Sequence, residues 1–441
     1  DEQTAVVDTV DSSISRQFLE NVLHTLDGRP LDYLVINHME PDHCASIETL
    51  LLRFPTLKLV GNAKTFAFMG QFYDFPLDGR TVTVKEGDTL SLGGHTLQFH
   101  MTPMVHWPEV MMTYDTTEKA LFCADAFGTF GAMDGNIFAD EVNFEQDWLA
   151  EARRYYANIV GKYGAQVQAL LKKAAGLEIA MLCPLHGPIW RENIGWFLEK
   201  YKRWSTYTPE AWTAAIFCGS IYGHTENACE ILASRLAEKG VRHVRIFDVS
   251  HTDVSEQVSA AFQCSHLVFA SATYNGGIYT PMETLLLELK AHALQNRTVA
   301  LIENGSWGPA AARLMAKHLE EMKGMEQIAQ EGAIQIFKIP DSGFEDVVVG
   351  VVGTLQFDVF EYRMKNEYGV DLRMSGLPYE HLRLIRECPC DVKDLMLCSG
   401  SRVLEDFKGR KLIAFGGEWS VGFLAKHNPG LVLDDWLTVS K

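Results

Sequence analysis

Residues 31–43 read Leu-Asp-Tyr-Leu-Val-Ile-Asn-His-Met-Glu-Pro-Asp-His, and this stretch decides the fold of the first block of the chain. Its first half, Leu31–Asn37, is an almost continuous apolar run, which is typical of a strand buried on both faces. Its second half places four side chains that can bind a metal within six residues, namely His38, Glu40, Asp42 and His43. Imidazoles and carboxylates arriving together suit iron, manganese or zinc. The stretch therefore predicts a metal site at the end of a buried strand.

Three more side chains of this kind follow later strand-like segments. They are His106 after Thr96–His100, Asp125 after Ala120–Ala124, and His186 after Ile179–Pro184. A single histidine in such a position is more often a surface or core residue than a ligand. Because strand ends in a layered sheet meet at one edge of the fold, where functional loops are grouped, we expect these side chains to join the first cluster.

Length and composition limit the class of protein. The chain has 441 residues, enough for two or three domains. With 47% hydrophobic and 22% charged residues it reads as an ordinary globular protein, not as a disordered chain, a collagen or a coiled coil. It contains no run of 18 apolar residues that could span a membrane, and it begins without a signal-peptide pattern. The sequence therefore predicts a cytoplasmic protein.

Charge and cysteine content limit the classes of partner, disulfide and zinc site that we expect. The 57 acidic and 39 basic residues give a formal charge of −18, which disfavours general nucleic-acid binding. The nine cysteines are scattered and mostly lie in apolar segments, a pattern of reduced thiols rather than of a disulfide framework. A zinc site at Cys388-Pro389-Cys390 with Cys398 is disfavoured because no second close pair accompanies it.

The chain divides into three blocks. The first, residues 1–205, mixes short strands with amphipathic helices such as Ser13–Leu26 and Phe144–Tyr156, and a polar connector follows at 207–210. The second block alternates predicted strands at Thr213–Cys218, His243–Phe247, His266–Ala270 and Thr298–Ile302 with helices near 225–239, 254–263, 281–292 and 309–322. That alternation predicts a doubly wound parallel sheet. The third block, from about Gly324, is first rich in strands and then mixed α+β.

The first strand of the second block runs into a turn that suits a phosphate. Residues 219–226 read Gly-Ser-Ile-Tyr-Gly-His-Thr-Glu and open a helix, whose N-terminal N–H groups can hold a phosphate. The spacing matches neither a dinucleotide fingerprint nor a nucleoside-triphosphate loop. The turn resembles the flavodoxin loop that holds the phosphate of FMN, with the candidate residues Ser220, Tyr222, Gly223, His224 and Thr225.

Two further loops follow the third and fourth predicted strands. Their candidate residues are Thr273, Tyr274, Asn275 and Gly276 in one loop, and Asn304, Gly305, Ser306, Trp307 and Gly308 in the other. Ligands of open α/β sheets bind at such strand ends, near the switch in strand order. We expect Tyr274 and Trp307 to pack against a flavin ring. Together the three loops predict an FMN site.

The order His-x-Glu-x-Asp-His, followed by His, Asp and His at later strand ends, resembles the metallo-β-lactamase superfamily. Most hydrolases of that superfamily have His-x-His-x-Asp-His and bind zinc, whereas Glu40 stands here at the second position. A carboxylate in place of an imidazole makes the site harder and favours iron. Since a flavodoxin-like block follows directly, residues 1–323 resemble the flavodiiron proteins.

The resemblance implies a fold and a ligand set. The fold would be a metallo-β-lactamase-like αββα sandwich at 1–205, a flavodoxin-like doubly wound parallel sheet at 212–323 and a separate α+β domain at 324–441. One iron would be held by His38, Glu40 and His106, and the other by Asp42 and His186. Asp125 would bridge the two irons, and His43 would lie outside the ligand set.

The resemblance also implies an activity. Flavodiiron proteins reduce O2 to water or NO to N2O, with electrons passing through FMN to the two irons. They work as head-to-tail homodimers, or dimers of dimers, and receive electrons from a rubredoxin-like donor or a flavin reductase. The motifs leave open both the choice of gas and the donor.

The chain departs from the family at both ends. The family has additional strands before the position of Asp1, and a fifth strand and last helix after the helix near 309–322. We find neither in the pattern, so we expect an open edge on the second sheet, with Ala333–Phe337 only a weak candidate to cover it. Residues 324–337 and 351–370 instead resemble the C-terminal domain of bacterial peptide chain release factor 3. Because no Gly-Lys-Ser/Thr phosphate loop occurs, we expect no GTPase activity, and interpret the tail as a fusion or gene-model artefact joined near 320–332.

Two alternatives remain beside the flavodiiron interpretation. One is a zinc hydrolase of the metallo-β-lactamase type with an attached FMN electron-transfer module. The other is a non-enzymatic module whose tail engages the ribosome, which the negative charge and the absent GTPase domain disfavour.

Overall fold

A computed structural model describes residues 2–306, 308–322, 324–330, 334–340, 347–351, 374–406 and 409–435. In these ranges the strands form four sheets, two in the first block and one in each of the others. None of the described helices has the length and apolar character needed to cross a bilayer.

The first block is a two-sheet sandwich with helices outside. Its strands are β1 Ala5–Val7, β2 Tyr33–Val35, β3 Lys58–Gly61, β4 Thr81–Thr83, β5 Thr89–Ser91, β6 Thr96–Met101, β7 Met111–Asp115, β8 Ala120–Phe122 and β9 Met181–Cys183. Its α-helices are α1 Ser15–Leu26, α2 Pro41–Cys44, α3 Ile47–Arg53, α4 Ala63–Phe72, α5 Phe144–Asp147, α6 Leu149–Tyr155, α7 Gly164–Ala174 and α8 Ile194–Ser205. Strands β1–β4 form a parallel sheet, and β5–β9 form a mainly antiparallel one.

Strand β2 lies at the centre of this sandwich. Tyr33 and Val35 face the core between the two sheets, whereas Leu34 packs on the helical side, against α1 and α3. All three residues of β2 are buried, as expected for an apolar run buried on both faces. The αββα fold class is therefore confirmed. Strands β3, β5 and β7 were not predicted.

The second block is a parallel sheet in the order β11-β10-β12-β14-β15, with the short β13 attached to β12. Its strands are β10 Ala211–Gly219, β11 Arg245–Asp248, β12 Cys264–Tyr274, β13 Gly277–Ile278, β14 Arg297–Asn304 and β15 Met325–Gln330, and its helices are α9 His224–Glu238, α10 Val254–Gln263, α11 Thr280–Ala291 and α12 Ala311–Glu320. Numbered along the block, this order is 2-1-3-4-5, which is the order of flavodoxin-like sheets. The predicted doubly wound sheet is confirmed.

The expectation of a missing fifth strand is wrong. Residues Met325–Gln330 form β15, which pairs in parallel with β14 from Arg297 to Leu301. The pattern gave no signal because Met-Glu-Gln-Ile-Ala-Gln neither alternates nor forms an apolar run, whereas edge pairing relies on backbone groups that every residue except proline carries. The second sheet therefore extends past residue 323. No helix follows β15 before β16 among the described residues.

The third block forms its own antiparallel sheet in the order β17-β16-β19-β20-β18-β21. Its elements are β16 Ile334–Lys338, β17 Val347–Val351, β18 His381–Glu387, β19 Ser401–Glu405, β20 Lys411–Phe415, β21 Val432–Asp435 and the helix α13 Glu418–His427. Of the predicted segment Ala333–Phe337, residues from Ile334 belong to β16, which pairs with β17 and β19 and not with the second sheet, and Ala333 lies outside the described residues. Residues 352–373, part of the release-factor resemblance, lie outside the described residues.

Buried charges join the first two blocks. Arg153 on α6 forms an ion pair with Glu210 at the connector, and both side chains are largely buried. Arg297, at the start of β14, donates to the backbone carbonyls of Tyr207, Ala261 and Phe262. Because a buried charge is costly unless its hydrogen bonds are made, these contacts fix how the two blocks meet.

Candidate functional site

All six predicted metal ligands lie in one cluster at the strand ends of the sandwich. His38 and Glu40 follow β2, and Asp42 lies in the short helix α2, which starts with proline at its first position. His106 lies between β6 and β7, whereas Asp125 follows β8 and His186 follows β9. The parallel pairing of β8 and β9 places the last two loops side by side.

The first half of the cluster joins His38, Glu40 and His106. Glu40 Oε2 lies 3.2 Å from His38 Nε2 and 3.0 Å from His106 Nε2. The same two nitrogens lie 3.3 and 3.1 Å from Asp125 Oδ2. Four side chains thus present one donor atom each within 4.8 Å of one another.

The second half joins Asp42, His43 and His186. His43 Nε2 lies 3.2 Å from Asp42 Oδ2 and 3.1 Å from His186 Nε2. Asp125 Oδ1 lies 3.1 Å from His43 Nε2 and 3.4 Å from His186 Nε2. The two oxygens of Asp125 therefore face different halves, which is the position of a carboxylate shared by two metal ions.

His43 is the main difference from the predicted ligand set. We placed it outside that set, but the structure directs its Nε2 into the second half of the cluster. The direction of a side chain in a one-turn helix depends on how that helix packs, so residue spacing alone could not fix it. Thr9 holds this turn in place, because its backbone N–H and its hydroxyl both donate to the His43 carbonyl, each at 2.8 Å.

The cluster is strongly charged. Hydrogen bonds from His106 and His38 lower the pKa of Glu40 to about 2. Burial disfavours the charged form of His186, but Asp125 and Asp42 outweigh it and raise the pKa of His186 to about 9. Burial would raise the pKa of Asp125, yet the surrounding imidazoles lower it far below its usual range.

These residues fit a pair of metal ions. Asp42 Oδ1 is buried and makes no hydrogen bond with the described residues, although buried carboxylate oxygens are normally satisfied. Four imidazoles crowd together, with ring centres 5.3 Å apart for His38–His106 and 4.8 Å for His43–His186. Divalent cations would replace the protons on the Nε2 atoms of these imidazoles and would bind Asp42 Oδ1.

Two neighbours of the cluster were not predicted. Glu109 lies behind His38, with Oε1 2.8 Å from Nδ1. Tyr155 on α6 packs its ring 5.4 Å from that of His186. The only sequence signal for Glu109 was a lone acidic residue just before the apolar run that begins at Val110. Its contact with His38 joins residues 71 positions apart.

The predicted phosphate loop connects β10 to α9. Gly223 precedes the helix with φ +82, a left-handed conformation that favours glycine, and its N–H donates to Ser220 Oγ at 3.1 Å. No side chain among the described residues caps the N-terminus of α9. A cap normally satisfies these N–H groups, so they stay available to an anion.

The three flavin loops lie together at one edge of the sheet. Asn304 Nδ2 donates to Thr225 Oγ1 at 3.3 Å, which joins the third loop to the first. Thr273 Oγ1 accepts from the N–H groups of Ala310 and Ala311, which joins the second loop to the start of α12. These two threonines therefore connect the loops.

The remaining flavin candidates differ in placement. Tyr222 and Tyr274 are exposed, at 86% and 46%, beside the phosphate loop and on the β12–β13 turn. Asn275 and Gly276 have positive φ and form the two-residue turn between these strands. His224 is the first residue of α9, and Gly305, Ser306 and Gly308 follow β14. Trp307 lies outside the described residues.

Comparison with known proteins adds independent information. The family model described as "ODP family beta lactamase" matches residues 1–187. An anaerobic nitric oxide reductase flavorubredoxin of Escherichia coli (strain SMS-3-5) is 30% identical over 325 residues, covering 73% of this chain and 67% of that protein. This chain belongs to the flavodiiron proteins. The predicted family is thus confirmed, and membership makes the chain an oxidoreductase.

Solved structures support the same family. Rubredoxin oxygen:oxidoreductase from Desulfovibrio gigas has a TM-score of 0.68 at 26% identity, covering 76% of this flavodiiron protein and 84% of that chain. The flavodiiron protein from Giardia intestinalis also has a TM-score of 0.68, at 24% identity, covering 74% and 82%. The latter likeness concerns the fold alone.

The tail matches a second family. The model described as "Class II release factor RF3, C-terminal domain" matches residues 310–425. This match begins at the start of α12 and includes β15, so the segment that completes the flavodoxin-like sheet lies within it. The release-factor resemblance is therefore confirmed.

Proposed function

We propose that this flavodiiron protein reduces O2 to water or NO to N2O at a di-iron centre supplied with electrons through FMN. The observation that carries the proposal is Asp125, whose two oxygens face two separate groups of imidazoles and carboxylates. When bound, two ferrous ions would bind and polarise the small gas and pass electrons to it. Related proteins are named for nitric oxide reduction and for oxygen reduction, and both gases suit such a centre.

Iron is the metal that this donor set favours. One ion would be held by His38, Glu40 and His106, and the other by Asp42, His186 and, in addition to the predicted set, His43. Three carboxylates offset much of the charge of two divalent ions. Mixed sets of imidazoles and carboxylates are typical of non-haem iron.

The walls of the cluster would limit the chemistry to small molecules. The Trp107 ring packs edge-on against His38 with centres 5.3 Å apart, and Tyr155 lies against His186. His38 and Asp125 are almost fully buried. These contacts would hold His38, Asp125 and His186 in place on the inner side of the cluster, whereas Glu40 and Asp42 remain partly exposed.

FMN would bind across the three loops of the second block. The uncapped N-terminus of α9, preceded by Gly223, offers N–H groups and a partial positive charge to the phosphate. Exposed Tyr274 and Tyr222 offer aromatic surface to the ring. The protein would supply binding and orientation, and the flavin would supply the redox chemistry.

A second copy of the chain would bring the two sites together. Arg297 contacts the carbonyl of Tyr207 at one end of β14, whereas Asn304 of the flavin loops ends the same strand. Seven residue steps of a strand span about 23 Å. No hydrogen bond or ion pair among the described residues joins a cluster residue to a flavin-loop residue. We therefore propose a head-to-tail homodimer, with a rubredoxin-type protein or a flavin reductase as donor.

We also propose three units for the chain. They follow the boundaries expected from the sequence, 1–205, 212–323 and 324–441, except that the second extends to Gln330 to include β15. The third unit has no assigned chemistry in this proposal.

Gas consumption by the reduced protein tests the proposed function. Purified protein loaded with iron and FMN and chemically reduced should consume O2 or NO, whereas an Asp125→Asn variant should not. Loaded wild-type protein that consumes neither gas would contradict the proposal. Zinc in the cluster with turnover of ester or lactam substrates would instead support a hydrolase.

A further inference from the structure

Glu109 lies behind the metal cluster rather than in it. Its side chain is 1% exposed, and Oε1 lies 2.8 Å from His38 Nδ1. The other ring nitrogen of His38, Nε2, faces Glu40 and Asp125 inside the cluster. The imidazole thus lies between a buried carboxylate on one side and the candidate metal site on the other.

The contact fixes the hydrogen positions on His38. An ionised carboxylate can only accept, so the short contact requires a hydrogen on Nδ1. The N–H of Met39 lies 3.1 Å from that nitrogen and 3.0 Å from Glu109 Oε1, and with Nδ1 protonated it donates to the carboxylate. The Nε2 lone pair is then the one available to a metal.

Glu109 is itself held firmly. Its backbone carbonyl accepts from Asn62 Nδ2 at 2.6 Å. Asn62 Oδ1 in turn accepts from the N–H of Lys64 and caps α4. The second oxygen of Glu109, Oε2, makes no hydrogen bond with the described residues, so the buried negative charge is only partly neutralised.

This arrangement occurs at one imidazole of the cluster. Among the described residues, the ion pairs of His43, His106 and His186 involve Nε2, and none has a carboxylate on Nδ1. The two halves of the cluster therefore differ in the carboxylate contact made by Nδ1. Carboxylates behind metal-bound histidines orient the ring and raise its basicity.

We propose that Glu109 is a positioning residue that holds His38 in its metal-binding tautomer and makes the iron of that half harder to reduce than it would be without this carboxylate. The inference rests on the proposed di-iron function. Its physical basis is the extra buried negative charge, which stabilises the higher oxidation state of the nearer ion. Glu109 touches neither the candidate metal positions nor the gas.

Two variants separate charge from contact. Glu109→Gln keeps an oxygen that can accept from Nδ1 but removes the charge. Glu109→Asp keeps the charge but withdraws it by one methylene. Asp115→Asn is the matched control, because Asp115 forms the same kind of pair with His95 at 2.7 Å, on the other end of β7 and away from the cluster. The melting temperature of each metal-free protein shows whether it folds.

The readouts are iron affinity, by competition with a chelator, and the two iron reduction potentials, by titration followed with EPR. We expect E109Q to retain two irons with one potential raised. We expect E109D to bind one iron about 10- to 100-fold more weakly. Asp115→Asn should leave both quantities unchanged.

The outcomes also separate this inference from the proposed function. Wild-type protein that binds no iron would contradict the di-iron function. Wild-type protein with two irons, together with folded variants whose affinities and potentials match it, would overturn only the role of Glu109. Equal shifts at both irons would overturn it as well, because the charge lies behind one of them.

Discussion

The metal cluster and the flavin loops use different parts of the polypeptide. In the cluster, seven side chains from four strand ends form two groups whose ligand atoms lie within 4.8 Å of one another, and three of these residues are buried. In the loops, the groups that would meet a ligand are backbone N–H groups and exposed rings, while Thr225 and Thr273 serve to connect the loops. Side-chain sites are therefore sensitive to residue identity, and backbone sites to conformation and to the sheet that supports them.

The largest effect should follow from Asp125→Asn. The substitution preserves shape but removes the charge that faces His38, His43, His106 and His186. We expect iron affinity to fall by more than about 100-fold, beyond the loss usual for outer residues, with FMN content unchanged. Metal analysis and flavin absorbance check this, with Asp140→Asn on the surface as control. Full iron content in the variant would mean that Asp125 is not shared by two ions.

Removing β15 tests the flavin site, which depends on backbone groups and on the sheet that supports them. A chain ending at Met322 would lose the backbone hydrogen bonds along β14, each worth about 1 kcal/mol. At about 2–4 °C per kcal/mol, we expect the flavodoxin-like block to melt about 10 °C lower and to lose FMN, while the metal cluster stays loaded. A chain ending at Gln330 is the control, since it keeps β15 without the third block. Identical melting of the two truncated chains would show that β15 does not support the sheet.

His43→Ala sharpens the description of the cluster. Because His43 Nε2 faces only the second half, we expect one iron to bind normally and the other about 10- to 100-fold more weakly. His95→Ala, outside the cluster, is the control. Iron titration of both variants measures the two affinities. Two tightly bound irons in His43→Ala would show that His43 is not a ligand, as the sequence predicted.

The smallest effect should come from Gly223→Ala. An alanine at φ +82 costs about 1–2 kcal/mol, and the displaced turn should bind FMN more weakly with iron unaffected. Gly195→Ala, inside α8 with open space around it, should instead add about 0.5–1 kcal/mol of stability. Fluorescence titration with FMN and thermal unfolding measure both. Unchanged FMN affinity in Gly223→Ala would contradict a phosphate site at this turn.

Much of the fold and of the metal cluster could be predicted because the signals were local. The apolar run through Val35 marked a buried strand, and the ligand types at its end marked the chemistry. The alternation of strands and helices after Thr213 was equally local. These features depend on residue types and on hydrophobic periodicity, which can be read from the sequence without knowing how the elements pack.

The remaining features depend on contacts between residues that are distant in sequence, and no local pattern reveals such contacts. The pairing of β15 uses backbone groups, the direction of His43 depends on how α2 packs, and Glu109 acts through a contact 71 residues away along the chain. Such features follow from the assembled structure.

The iron, zinc and FMN content of the purified 441-residue chain, measured on one sample, tests the proposed di-iron centre and flavin site most directly. We expect two irons and one FMN per chain, with little zinc. One zinc per chain and no bound flavin would contradict this expectation.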